Sequence, residues 1–192
     1  MIGMIAWCLA ISVALGLIVV ASTRRRRRMR RHPAPTFVFA DLAGYTALTE
    51  DRGDEAAADV AREFRCAMCA LSREHGATQV KSMGDGVMIV SKDPAAAVGL
   101  AAHAVEAVGT RPDLLPVRVG VHTGPAARRG CDWYGSSVNL AARLARAAEP
   151  NEALISASTR ATANGSLGDR LSTRGELALR GVDRPVSAWR LA

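Results

Sequence analysis

Apolar and polar positions change their period several times along the chain, and each change predicts an element. Residues 2–22 carry no charge and are rich in Ile, Leu, Val and Ala. As a helix at 1.5 Å per residue they would span about 31 Å, the thickness of a bilayer core. Arginines at 24–28, 30 and 31 follow the stretch, and no Lys or Arg precedes it. A cleaved signal peptide has the opposite order. A retained anchor is therefore expected, with the N-terminus outside and everything after it in the cytoplasm. Pro33 and Pro35 make residues 32–36 a stiff linker.

Beyond the linker an apolar strand is predicted over residues 37–42, then a turn at Gly44 and a helix over 55–74. In that helix Val60, Phe64, Met68 and Leu71 recur at helical spacing and should face the core. Residues 77–83 and 87–90 read as strands joined through Gly84-Asp85-Gly86. A helix over 94–108 opens with Asp93 as cap and Pro94 at its first position. Val117, Val119 and Val121 alternate in a strand over 115–122, followed by a helix over 136–147 and a short strand over 153–156. Residues 171–179 and 186–191 suggest a closing hairpin. The order β-α-β-β-α-β with C-terminal additions is the ferredoxin-like pattern, an α+β sheet with helices on one face.

Composition agrees with a folded core: 49% of residues are hydrophobic and only 4% aromatic, so Ala, Val and Leu must fill it and extended disorder is excluded. The net charge of +7 comes from the seven arginines between 24 and 31; without them 18 basic residues face 18 acidic ones. The folded part is balanced, which argues against nucleic acid as a partner and assigns the basic run to anionic headgroups. Of the four cysteines, Cys66 and Cys69 form a C-x-x-C with no second pair beside it, so neither a disulfide framework nor a zinc motif is expected. The histidines at 32, 75, 103 and 122 are scattered and suggest no ligand motif.

Asp41 ends the first predicted strand, and Asp85 sits in the tight turn between the next two. The predicted fold sets these strands side by side, bringing both carboxylates to one edge as hard oxygen ligands for Mg²⁺ beside a substrate's phosphates. Leu42-Ala43-Gly44-Tyr45-Thr46 then turns into a helix start, where free N–H groups favour an anion.

Five segments carry a resemblance. Phe39-Ala40-Asp41-Leu42-Ala43-Gly44-Tyr45-Thr46, Val80-Lys81-Ser82-Met83-Gly84-Asp85-Gly86, Arg118-Val119-Gly120-Val121-His122-Thr123-Gly124, Asp132-Trp133-Tyr134-Gly135-Ser136-Ser137-Val138-Asn139-Leu140-Ala141-Ala142-Arg143-Leu144 and Leu179-Arg180-Gly181-Val182 resemble, in order, the signature segments of class III nucleotidyl cyclases. The resemblance implies a domain organisation of transmembrane helix (1–23), Arg-rich segment and linker (24–35) and cyclase catalytic domain (36–192). It implies that Asp41 and Asp85 bind two divalent cations, Mg²⁺ or Mn²⁺. Arg118 and Arg180 would bind phosphate, together with the helix start at Gly44, Tyr45 and Thr46; at 180 the family more often has Lys. Asn139 and Arg143, four apart on one helix face, would orient the ribose and stabilise charge on the phosphoryl group.

Lys81 and Asp132 would read the purine edge, Lys donating to adenine N1 and Asp accepting from the 6-amino group. Only Lys81 and Lys92 are lysines among 25 basic residues, so an Arg-preferring chain keeps a compact donor at the base-reading position. The implied activity is conversion of ATP to cyclic AMP and pyrophosphate at the plasma membrane, with the catalytic domain cytoplasmic. Sites of this family form between two domains: one subunit would supply Asp41, Asp85 and Arg118, its partner Lys81, Asp132, Asn139, Arg143 and Arg180, so the chain would work as a homodimer. The alternatives are a catalytically silent regulatory partner of another cyclase, which would lack site residues, and a guanylate cyclase.

Overall fold

The computed structural model describes residues 34–108, 110–163 and 170–191. The expected anchor over residues 2–22, the arginine run and the start of the linker lie outside them. Among the described residues no helix is long and apolar enough to cross a membrane.

In chain order the elements are β1 (Thr36–Leu42), α1 (Tyr45–Glu74), β2 (Thr78–Met83), β3 (Gly86–Ser91), α2 (Pro94–His103) running into a π-helical turn (Ala104–Val108), and β4 (Val117–Thr123). There follow β5 (Ala127–Arg129), β6 (Asp132–Tyr134), α3 (Ser136–Ala147), β7 (Glu152–Ser156), α4 (Ala157–Thr162), β8 (Leu171–Leu177) and β9 (Val186–Leu191). Seven strands form one sheet in the order β2-β3-β1-β4-β7-β9-β8, and β5 pairs with β6 apart from it. β1 pairs antiparallel with both β3 and β4, which is the ferredoxin-like core expected from the element order. β7 adds parallel to β4, and β9 and β8 complete that side.

The expectation of helices on one face is corrected. Val38, Ala40 and Leu42 of β1 pack with Phe64 and Met68 of α1 and Leu100 and Ala101 of α2. Phe37, of opposite parity, packs instead with Met88 of β3 and Val138 and Ala141 of α3. The physical reason is visible in β1 itself, which is apolar at both parities and so needs cover on both sides. Gly120 of β4 shows how closely α3 is seated: a Cβ there would collide with the backbone N of Ala145 and the backbone O of Ala141.

Helix α1 also differs from expectation. It begins at Tyr45 rather than near residue 55 and is interrupted at Gly53, whose φ of 84° and ψ of 169° are non-helical. The polar segment before that glycine is a separate helical piece without the apolar period that marks the rest. Within the longer piece Phe64 and Met68 are fully buried, and Val60 and Leu71 pack against the same core.

Candidate functional site

Strand parity decides which side chains share a face. Asp41 lies on the α3 side of β1, directly across from Gly86 on β3 and Arg118 on β4. Asp85 occupies the turn between β2 and β3, and that turn folds onto the end of β1 because the Leu42 N–H donates to the Asp85 carbonyl at 3.3 Å. The Asp41 carboxyl is held above its usual range, first by burial and then by the negative charge of Asp85; Arg118 and Arg146 oppose this more weakly. Two facing carboxylates that disfavour each other's charge are the donor set that a hard divalent cation relieves. A Cβ on Gly86 would stand 3.1 Å from Asp41 Oδ1, so glycine at that position leaves the carboxylate its room.

Arg118 carries a second signal. Its Nε is buried and has no hydrogen-bond partner among the described residues. The acidic residue opposite it, Glu152, is committed elsewhere: it pairs with Arg174 Nε at 3.2 Å and accepts from the Glu149 N–H at 2.7 Å. An unpartnered buried guanidine nitrogen costs stability unless an anion satisfies it, which is the behaviour of a phosphate-binding arginine. Gly44 caps α1 in the left-handed region (φ 86°), and no side chain caps the first turn that Tyr45 and Thr46 begin. The Ala43 N–H donates to Pro116 O at 2.7 Å and ties this loop to the start of β4.

Lys81 and Asp132 meet across 51 residues of sequence, with Nζ 2.7 Å from Oδ2. Lys81 follows a register shift in β2. Asp132 begins β6 and accepts a second hydrogen bond from the Trp133 N–H at 2.8 Å. The bond from Lys81, then that from Trp133, holds the Asp132 carboxyl below its usual range. The β5–β6 hairpin is anchored to the sheet by an edge-on stack of Trp133 on Phe37, centroids 5.7 Å apart.

Asn139 and Arg143 stand one turn apart on α3, Asn139 exposed and Arg143 half-buried. Arg143 Nη1 donates to the Gly181 carbonyl at 2.8 Å, which draws the turn bearing Arg180 against the helix. That turn closes through the Val182 N–H to Leu179 O at 3.0 Å with Gly181 at φ 69°, a conformation favoured by glycine. Arg180 itself is exposed.

The fold thus groups Asp41, Asp85 and Arg118; Lys81 with Asp132; and Arg143 with the turn of Arg180. Sequence reasoning overlooked Gly86, Arg146, and Tyr134, whose ring centroid lies 5.9 Å from Lys81 Nζ. Gly86 and Tyr134 adjoin recognised positions, and Arg146 follows Arg143 by one helical turn, which is the signal that could have found them.

The profile of the family described as "Adenylate and Guanylate cyclase catalytic domain" matches residues 28–191. An uncharacterized protein of Mycobacterium tuberculosis is 38% identical over 158 residues, covering 80% of this chain and 40% of that one. The pH-sensitive adenylate cyclase of the same species is 34% identical over 166 residues, covering 81% and 40%. The chain therefore spans well under two thirds of the curated relatives it matches. Among solved structures, the adenylyl cyclase CyaB from P. aeruginosa superposes with a TM-score of 0.70 at 27% identity, covering 83% of this chain and 94% of that one. A Trypanosoma brucei adenylate cyclase described in its monomeric state reaches 0.77 at 24% identity, covering 83% and 88%, a likeness of fold.

Proposed function

We propose, from the premise that this chain belongs to the adenylate and guanylate cyclase catalytic domain family, that it is a membrane-anchored adenylate cyclase. It would close ATP to 3′,5′-cyclic AMP by attack of the ribose 3′-oxygen on the α-phosphorus, with pyrophosphate leaving. The base-reading pair carries the choice of substrate: Lys81 Nζ, 2.7 Å from Asp132 Oδ2, offers a donor and an acceptor side by side. Adenine presents the complementary acceptor at N1 and donor at the 6-amino group. Guanine presents the reverse, and each buried polar group left unpaired costs about 1–3 kcal/mol.

Asp41 and Asp85 are the residues that would hold two divalent cations, Mg²⁺ or Mn²⁺; when bound, these supply charge neutralisation at the triphosphate and acidify the attacking hydroxyl. Arg118 binds phosphate through its unpartnered guanidine edge. The N–H groups at Gly44, Tyr45 and Thr46 and the side chain of Arg180 add donors for the same anion. Asn139 orients the ribose, and Arg143 stabilises charge developing on the phosphoryl oxygens. Two copies complete each site, one giving Asp41, Asp85 and Arg118 and the other Lys81, Asp132, Asn139, Arg143 and Arg180. In the organisation proposed here, residues 1–23 cross the plasma membrane once, residues 24–35 face anionic headgroups, and the domain from residue 36 lies in the cytoplasm.

The deciding experiment measures cyclic nucleotide formation by the full-length chain with ATP and with GTP, under Mg²⁺ and Mn²⁺. ATP should be strongly preferred, and Lys81→Glu should erase the preference. Equal turnover of GTP by the wild type overturns the adenylate reading, and inactivity on both nucleotides favours the silent regulatory partner.

A further inference from the structure

His75 and His103, 28 residues apart, face each other with Nε2 of the first 2.9 Å from Nδ1 of the second. Their rings stand edge to face, centroids 4.8 Å apart. His75 caps the C-terminal end of α1 and His103 ends α2, just before the π-helical turn, a distortion often found at functional positions. Glu74 adjoins them: one ligand atom from each of Glu74, His75 and His103 lies within 4.8 Å of the others. The neighbouring surface of α2 is shaped for the His75 ring. A Cβ on Gly99 would stand 3.2 Å from His75 Cε1 and 3.3 Å from Nδ1, so glycine one turn before His103 clears the space that the imidazole uses.

We propose that His75, His103 and Glu74 form a binding site for a zinc-class divalent cation, separate from the Asp41–Asp85 carboxylates and joining the ends of α1 and α2. Two imidazole nitrogens and a carboxylate are the ligand set such ions take when a fourth position is left to water. Hard ions such as Mg²⁺ prefer oxygen donors, so the chemistry of the two sites differs. Both imidazoles must be neutral to ligate. Without a cation the two nitrogens can satisfy each other only by sharing one proton; the ion takes the place of that proton.

The test uses the full-length chain in excess Mg²⁺, which saturates oxygen-donor sites, with Co²⁺ as spectroscopic probe and Zn²⁺ as competitor. The wild type should show the visible bands of nitrogen-ligated Co²⁺, lose them to Zn²⁺, and gain thermal stability with Zn²⁺. His103→Gln and His75→Gln should each weaken binding at least about tenfold and abolish the Zn²⁺-dependent rise in Tm, whereas Cys66→Ser with Cys69→Ser should keep both. The pair lies at the surface, so His103→Gln retains the fold and decides the matter even if His75→Gln does not. Wild-type protein with no Co²⁺ bands, or a His103→Gln protein that binds as the wild type does, overturns the site. No readout here depends on nucleotide turnover.

Discussion

Gly120→Ala tests whether α3 is seated directly on the backbone of β4. One methyl group is added at a strand position whose Cβ would meet the backbone N of Ala145 and the backbone O of Ala141. Neither atom belongs to a flexible side chain, so no change of rotamer relieves the overlap and helix and strand must separate. Overpacking of a tight core usually costs about 1–3 kcal/mol, and a backbone-to-backbone clash belongs at about 3 kcal/mol. For a domain of this size each kcal/mol lowers Tm by about 2–4 °C, which predicts a fall of about 6–12 °C. A net stability of about 5–15 kcal/mol leaves the variant folded at room temperature. Its catalysis should suffer more than its fold, since α3 carries Asn139 and Arg143 and a displacement of about 1 Å can cost about a hundredfold in rate. Thermal unfolding and cyclic nucleotide formation per folded molecule measure the two effects. A Tm within about 1 °C of the wild type, together with unchanged turnover, would refute the direct seating of α3 on β4.

Asp41→Asn should abolish cyclisation yet raise Tm at neutral pH in the presence of a chelator. The carboxyl is held above its ordinary range by burial and by Asp85, so the folded state binds its proton more tightly and loses stability as pH rises past the unfolded value; a variant less stable than wild type at neutral pH contradicts this. His122 works in acid. Burial lowers its pKa from 6.5 to about 4, the unfolded chain takes up the proton first, and stability should fall by on the order of 3 kcal/mol between those values. His122→Gln should flatten that slope in denaturant titrations, and an unaltered slope rejects the assignment. Mixing Asp41→Ala with Asn139→Ala or Arg143→Ala chains should restore activity, because in the proposed dimer one of the two shared sites is then intact; mixtures that exchange subunits yet stay inactive rule out sharing. Full-length chain should remain with membranes through a high-salt wash, since molar salt screens charges within about 3 Å and would release an attachment made by the arginines alone.

Elements with a strong period of their own were the most legible. Helix α3 spans Ser136–Ala147, the bounds expected, and β9 likewise agrees with its expected bounds. The three-residue strands β5 and β6 and the six-residue helix α4 escaped because so few residues establish no period. The element order predicted helices on one face of the sheet, whereas α3 covers the other; Gly120 and the second parity of β1 decide that, and both act only after the strands have paired. For the candidate site, motif order named the residues, while pairing revealed their electrostatics: Asp41 is perturbed by an Asp85 brought over by a turn, and Arg118 is left open because Arg174 already occupies Glu152. The approach of His75 to His103 depends on where two helices end, and no local pattern encodes it.

The hydrogen bond from Arg143 to the Gly181 carbonyl sets a rule for exchanging parts between relatives. Helix α3 and the turn between β8 and β9 behave as a single cassette, although nearly forty positions separate them in the chain. A chimaera that imports the helix alone inherits an arginine whose acceptor depends on a foreign turn. One that imports the turn alone must still offer a glycine, since residue 181 sits at φ 69°, where a side chain is strained. Grafts between cyclase domains should therefore carry both pieces together, and natural recombination within this stretch of sequence should be constrained in the same way.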